Sequence, residues 1–201
     1  MNPYTLTLLR HGDIDHQGCL TGQREAALTE TGALLMEHSW KRVQALASVS
    51  TMATSPLLRC REFAVRHALA TSVPLKVDPR FSEFDFGLWD GEPLDQLNQQ
   101  QPEWEKQLRA GTISLPAGES QEIFHTRVLT GFSEWIAASR GSHRLLVTHG
   151  LVITILLSEL LGIDSAVAHL MTVQPGGFIQ LSILEDHPAY LMHLELPQVI
   201  T

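Results

Sequence analysis

Cysteine is scarce in this chain: Cys19 and Cys60 are the only two, in unrelated contexts. With no metal-ligand spacing and no secretory segment, two free thiols in a reducing compartment are the simplest reading. Positive charge is also in deficit, with 14 Lys and Arg against 22 Asp and Glu and a net charge of −8. No basic footprint for nucleic acid exists, although a local basic crevice stays open because net charge does not set local fields. Long apolar runs are missing too. The longest, Leu151–Leu161, is interrupted by Thr154, Ser158 and Glu159 and falls short of the roughly 20 apolar residues that span a bilayer. The chain opens directly on a strand pattern without the basic and apolar regions of a secretory leader, so a cytoplasmic location without membrane contact is expected.

What remains is ordinary globular material, 44% hydrophobic and 18% charged over 201 residues. That length suits a single domain over 1–201 with a helical insertion near 93–118. Tyr4–Leu9 reads as a buried strand. Thr29 is a candidate N-cap for a helix whose apolar face carries Met36, Trp40, Val43 and Ala47. A short strand, Thr51–Thr54, is followed by Ser55-Pro56 and a helix from Leu57 to about Ala70, with proline well placed near a helix start. Pro74–Val77 is a third strand, and 79–93 reads as a loop. One or two short helices around Pro102 precede a long helix with Phe124, Val128, Phe132 and Trp135 on one face. Arg144–Thr148 is another buried strand, the helix 151–161 stops at Gly162, and strands near 178–184 and 190–196 complete a sheet edge. Strands alternating with helices predict an α/β fold, a three-layer α/β/α sandwich around a mostly parallel, doubly wound sheet.

The chemistry-bearing residues cluster at strand ends. The first strand ends in Arg10-His11-Gly12, the strand ending at Thr148 runs into His149-Gly150, and the Thr51–Thr54 strand ends beside Ser55, one helical turn before Arg59. In open α/β sheets the carboxyl ends of the strands border the ligand crevice. Two imidazoles and two guanidiniums gathered there suit a dianionic tetrahedral group, most simply a phosphate monoester.

Arg10-His11-Gly12 resembles the signature of the histidine phosphatase superfamily, also called phosphoglycerate mutase-like. Leu28-Thr29…Gly32, Ser55-Pro56-Leu57…Arg59-Cys60, Glu83–Gly91, Pro116…Gly118-Glu119-Ser120 and Thr148-His149-Gly150 follow in that family's order. Gly18–Gly22, Ser55–Cys60 and Phe84–Gly91 look most like its α-ribazole phosphatase branch, which removes a 5′-phosphate late in cobalamin assembly. The short connection after the first motif favours a hydrolase over a mutase. The resemblance implies His11 as nucleophile through a phosphohistidine, with Arg10, Arg59, His149 and Gly150 holding the phosphoryl group. It implies Glu83 as the acid that protonates the leaving alkoxide and then activates water. No cofactor or metal is implied. The expected partner is a small phosphate monoester, and a homodimer is left open.

Each assignment has a plainer alternative. His149 could be a core histidine holding its tautomer after a strand, and Asp85 and Asp90, rivals of Glu83, suit turn capping better. His11, Asp13, Asp15 and His16 have the composition of a metal cluster, but two adjacent arginines would repel a cation. Trp89 and Trp104 are candidates for pocket walls, with aromatic packing as the commoner role. Arg61 and Arg66 read as solvated helix charges. Two departures from the family pattern stand out: Ile14 where a hydroxyl residue is common, and Thr154 where an arginine is common.

Overall fold

The computed structural model describes residues 3–184 and 187–196; the remaining positions of the expected 1–201 domain lie outside the described residues. The first strand, β1 (Tyr4–Arg10), is central in a six-stranded sheet that also contains β2 (Thr51–Thr54), β3 (Leu75–Val77), β4 (His143–Thr148), β5 (Phe178–Ile183) and β6 (Tyr190–Glu195). The strand order is β3-β2-β4-β1-β5-β6. The pairs β2–β3, β2–β4 and β1–β4 are parallel, whereas β5 runs antiparallel to both β1 and β6. The sheet is therefore mostly parallel, as expected, with one reversed strand.

Both faces of β1 are covered, which explains its nearly unbroken apolar run. Tyr4, Leu6 and Leu8 join a core layer with Phe124, Val128 and Trp135 of α5 (Gln121–Ala138) and Val152, Ile153 and Leu156 of α6 (Gly150–Leu161). Leu9 faces the other way, into Met36, Trp40 and Val43 of α1 (Glu30–Leu46) and Phe63, Ala64 and Ala68 of α2 (Leu58–Thr71). Helix, sheet and helix make the three layers.

Local chemistry sets the helix boundaries. The Thr29 hydroxyl accepts from Gly32 N–H at 2.9 Å and starts α1. Ala47 is not on the apolar face of α1: it lies beyond the helix end, exposed and extended, its N–H closing on Val43 O. Helix α2 has no capping side chain of its own at Leu57, and Glu25 from the preceding connection accepts Leu58 N–H at 2.9 Å instead. Gly162 ends α6 at φ 64°, the left-handed conformation glycine adopts without strain.

The expected loop 79–93 is more ordered than its composition suggests. It holds two short 3-10 turns, Pro79–Phe81 and Gly87–Trp89, and buries Phe81, Phe84 and Phe86. Pro102 separates α3 (Leu94–Gln100) from α4 (Trp104–Arg109). Trp104 packs edge-on to Phe86 with ring centres 6.4 Å apart, which ties α4 to the strand-end loops. A short helix, α7 (Ser165–Ala168), follows α6 and starts at Asp164, whose side chain accepts Ala166 N–H at 2.8 Å.

Candidate active site

The carboxyl ends of β2, β4 and β1 lie side by side, because these strands are consecutive neighbours in the sheet. The ladder runs past the strand ends: His11 N–H donates to Thr148 O at 3.0 Å and Ser55 N–H to Val147 O at 3.1 Å. Backbone hydrogen bonds thus fix where His11, Ser55 and His149 emerge.

His11 Nδ1 lies 2.8 Å from its neighbour's carbonyl, Gly12 O. A carbonyl only accepts, so Nδ1 carries the proton and Nε2 keeps its lone pair. Burial, then the Arg59 guanidinium, then Arg10 push the His11 pKa down to about 3, against the Gly12 hydrogen bond. The ring is therefore neutral at pH 7 and stays so well into acid. That is the state a nitrogen nucleophile needs.

His149 stands edge-on to His11 with ring centres 5.1 Å apart. Arg59 Nε donates to His149 Nδ1 at 3.3 Å, so His149 carries its proton on Nε2, which donates to Ser55 Oγ at 2.7 Å. Burial, with His11, Arg59 and Arg10 nearby, holds the His149 pKa well below the ordinary histidine value. Arg59 also donates through Nη1 to Arg24 O at 3.0 Å and through Nη2 to Gly22 O. Asp90 shapes that carbonyl pair from behind, accepting the N–H groups of Gly22, Gln23 and Arg24 at 2.8–3.0 Å. Asp85 accepts Gly87 N–H at 2.9 Å in a local turn. Both aspartates hold loop backbone, as the alternative to a catalytic role supposed.

Glu83 and Arg10 line two adjoining cavities of about 300 and 310 Å³. The first is bounded by Arg10, His11, Asp13, Ile14, Thr21 and Glu83. The second turns toward Phe86, Trp104, Leu108, Leu151 and Thr154. Burial raises the Glu83 pKa, partly offset by Phe84 N–H, Arg10, Arg59 and Leu151 N–H. Glu83 accepts Phe84 N–H at 3.0 Å and Leu151 N–H at 3.4 Å, the latter from the amino end of α6. Arg10 Nη1 donates to Val173 O at 2.9 Å. Among the described residues Arg10 Nε is buried with no partner, an uncompensated donor next to the cavity.

Every sequence-selected site residue is thus at one edge of the sheet, but not in one role. His11, Arg10, Glu83 and Gly150 border the cavities. Arg59 and His149, 1% and 0% exposed, form a second tier behind His11 and border neither. Gly12 borders the first cavity, but its missing side chain answers to Gly32: a Cβ at Gly12 would lie 2.1 Å from Gly32 O. Gly150 leaves space for the Arg10 guanidinium, 3.3 Å from where its Cβ would be. Ile14 bridges to Leu28 and walls the first cavity, and the Thr154 hydroxyl bonds back to Gly150 O at 3.1 Å. Trp104 walls the second cavity; Trp89 packs against the core. Asp13, Asp15 and His16 are exposed, and among the described residues no group of three or more His, Cys, Asp or Glu converges on a point that could hold a metal ion.

Sequence reasoning missed Arg127. From α5 it grips Glu119 with two hydrogen bonds, at 2.8 and 2.6 Å, and reaches the carbonyls of Arg80, Ser82 and Glu83 at 2.8–2.9 Å. An arginine on an amphipathic helix carries no distinguishing pattern. The only nearby signal was Glu119, inside a motif already noted.

An α/β sandwich with paired imidazoles and arginines at its strand ends defines a phosphoryl-handling enzyme class, and the chain belongs to the histidine phosphatase superfamily (branch 1), whose family model it matches over residues 6–194. A probable phosphoglycerate mutase of Yersinia pestis (strain Pestoides F) is 31% identical over 162 residues, covering 79% of this chain and 75% of that protein. The α-ribazole phosphatase of Shigella flexneri superposes with a TM-score of 0.83 at 22% identity, over 98% of this chain and 100% of that one. A mycobacterial glucosyl-3-phosphoglycerate phosphatase superposes at 0.78 and 24% identity, over 90% of this chain and 91% of that one. These two likenesses establish a shared fold.

Proposed function

We propose that this enzyme is a phosphomonoesterase working through a phosphohistidine on His11, with α-ribazole 5′-phosphate as the favoured substrate. One observation carries the reading: a neutral imidazole with its Nε2 lone pair free and a carboxyl whose proton affinity is raised by burial border the same cavity. His11 Nε2 attacks phosphorus as the P–O ester bond breaks. Glu83 gives its proton to the departing alkoxide, which would otherwise be a poor leaving group. Glu83 then takes a proton from water, the resulting nucleophile attacks phosphorus, and the P–N bond breaks to release phosphate and restore His11. Arg10, with an unpartnered buried Nε, neutralises charge spreading over the phosphoryl oxygens. Burial and the Arg59 guanidinium behind the ring keep His11 unprotonated, and His149 stands edge-on to it with ring centres 5.1 Å apart.

The substrate preference is supported by the fold shared with α-ribazole phosphatases and by the short Gly18–Gly22 connection. A mutase reading has its own support in the relatives that are probable phosphoglycerate mutases. Phosphate release from purified protein in chelator separates them, comparing α-ribazole 5′-phosphate, several sugar phosphates and 3-phosphoglycerate. Strong preference for α-ribazole 5′-phosphate is the expected result. Broad hydrolysis would keep the mechanism and discard that substrate. Transfer between positions of phosphoglycerate, activated by a bisphosphorylated sugar acid and with little free phosphate, would replace hydrolase with mutase.

A further inference from the structure

We infer that Arg127 and Glu119 are positioning residues, a clamp that holds the Glu83 carboxyl at the leaving-group oxygen. The inference rests on the acid role proposed for Glu83. Its basis is where the clamp holds the chain. Arg127 Nη1 takes the carbonyls of Arg80 and Ser82, and Nη2 takes Glu83 O, all at 2.8–2.9 Å. Glu119 accepts Arg127 through both carboxylate oxygens and, through Oε1, also accepts Asp85 N–H at 2.8 Å. Backbone on both sides of Glu83 is thereby fastened to one ion pair, and Gln23 Nε2 adds a bond to Glu83 O at 3.3 Å.

Backbone bonds of this kind decide where a short side chain can reach. Glu83 Oε1 is occupied by its neighbour's N–H, so the carboxyl is aimed by the local backbone rather than by a rotamer free to search. The Arg127 and Glu119 side chains are only 18% and 9% exposed, which shields the pair from water and makes its geometry rigid. A planar guanidinium can serve two carboxylate oxygens and three carbonyls at once; an ammonium cannot. Neither residue borders the two cavities, so neither touches substrate.

The test uses leaving groups. Glu119→Gln and Arg127→Lys are compared with the wild-type chain on a simple alkyl phosphate and on an aryl phosphate whose phenoxide departs without a proton. The quantity read is kcat/KM, which reports only steps through alcohol release and so omits hydrolysis of the phosphohistidine. General acids contribute roughly 100- to 10,000-fold, so displacing one is expected to cost about tenfold or more on the alkyl ester, with less than about threefold lost on the aryl ester. Glu119→Gln keeps an oxygen for Asp85 N–H and is the gentler variant; urea midpoints establish that both chains are folded. Equal losses on the two esters, or no loss on either, would overturn the clamp. A wild-type chain that releases no alcohol from either ester would overturn the phosphomonoesterase reading and the clamp together, and its silence tells that failure apart.

Discussion

His11 keeps a lone pair to give because burial, more than the Arg59 and Arg10 guanidiniums beside it, keeps it from being protonated. Replacing it tests this at the smallest scale. His11→Ala should lose measurable turnover while circular dichroism and the urea midpoint stay near those of the wild type; near-normal activity would remove the nucleophile. Glu83 answers to pH in the opposite sense. Its raised pKa keeps it protonated, and able to donate, to higher pH than an ordinary glutamate. The kcat/KM for an alkyl phosphate, divided by that for an aryl phosphate, should therefore fall as pH rises through the Glu83 pKa. Glu83→Gln should flatten that ratio across the pH range and lower it by roughly 100-fold or more, the scale of general acid catalysis. A ratio that is independent of pH in the wild type would move the acid elsewhere.

Between residue and fold, the first strand and first helix meet through two glycines with nothing between them. A Cβ at Gly12 would lie 2.1 Å from Gly32 O, and one at Gly32 would lie 2.2 Å from Asp13 O. Gly12→Ala should therefore destabilise by about 1–3 kcal/mol, the cost of forced overpacking, read as a lower urea midpoint. Little change would mean that α1 slides easily on β1. Thr29→Ala should cost about 1 kcal/mol through its lost cap. At this scale the sequence was informative where chemistry is local: Thr29 and Gly162 follow from residue type and the buried faces of α1 and α5 from spacing, except at Ala47, where the helix has already ended. It was silent where partners are distant. Nothing near Leu58 announces that Glu25 caps its helix, and nothing in α5 announces that Arg127 holds the backbone around Glu83. Arg59 shows the same limit: its position follows from the motif, but its commitment to Gly22 O, Arg24 O and His149 depends on a loop that Asp90 folds from 60-odd positions away. The reversal of β5 is legible only once its partner is known.

For the whole molecule, three buried histidines set the acid limit. His11, His143 and His149 all have pKa values lowered mainly by burial. Below the ordinary value near 6.5 the unfolded chain binds protons that the folded chain refuses, so stability falls as pH falls through that window. For His11, with a folded value of about 3, moving from pH 6.5 to 5 removes about 2 kcal/mol. Glu83 acts the other way, its contribution being present at low pH and lost as pH rises from the unfolded value near 4.5 to its raised folded value. One carboxyl does not offset three imidazoles, so the urea midpoint should drop between pH 7 and pH 5. An unchanged midpoint would show that the histidines are hydrated.

The central position of β1 has a further consequence, for the order of events during synthesis. The strand that delivers Arg10 and His11 is made before either of its neighbours, β4, starting at His143, and β5, starting at Phe178. Such distant pairing is slow to form because the intervening chain must first be drawn together. A ribosome has to add all the chain between β1 and β4 before this strand can acquire either partner, and until then its apolar residues are available to whatever holds nascent chains apart. The strand end that carries His11 is therefore set in place only after β4 and β5 have been made, as a property of the assembled sheet rather than of β1 alone.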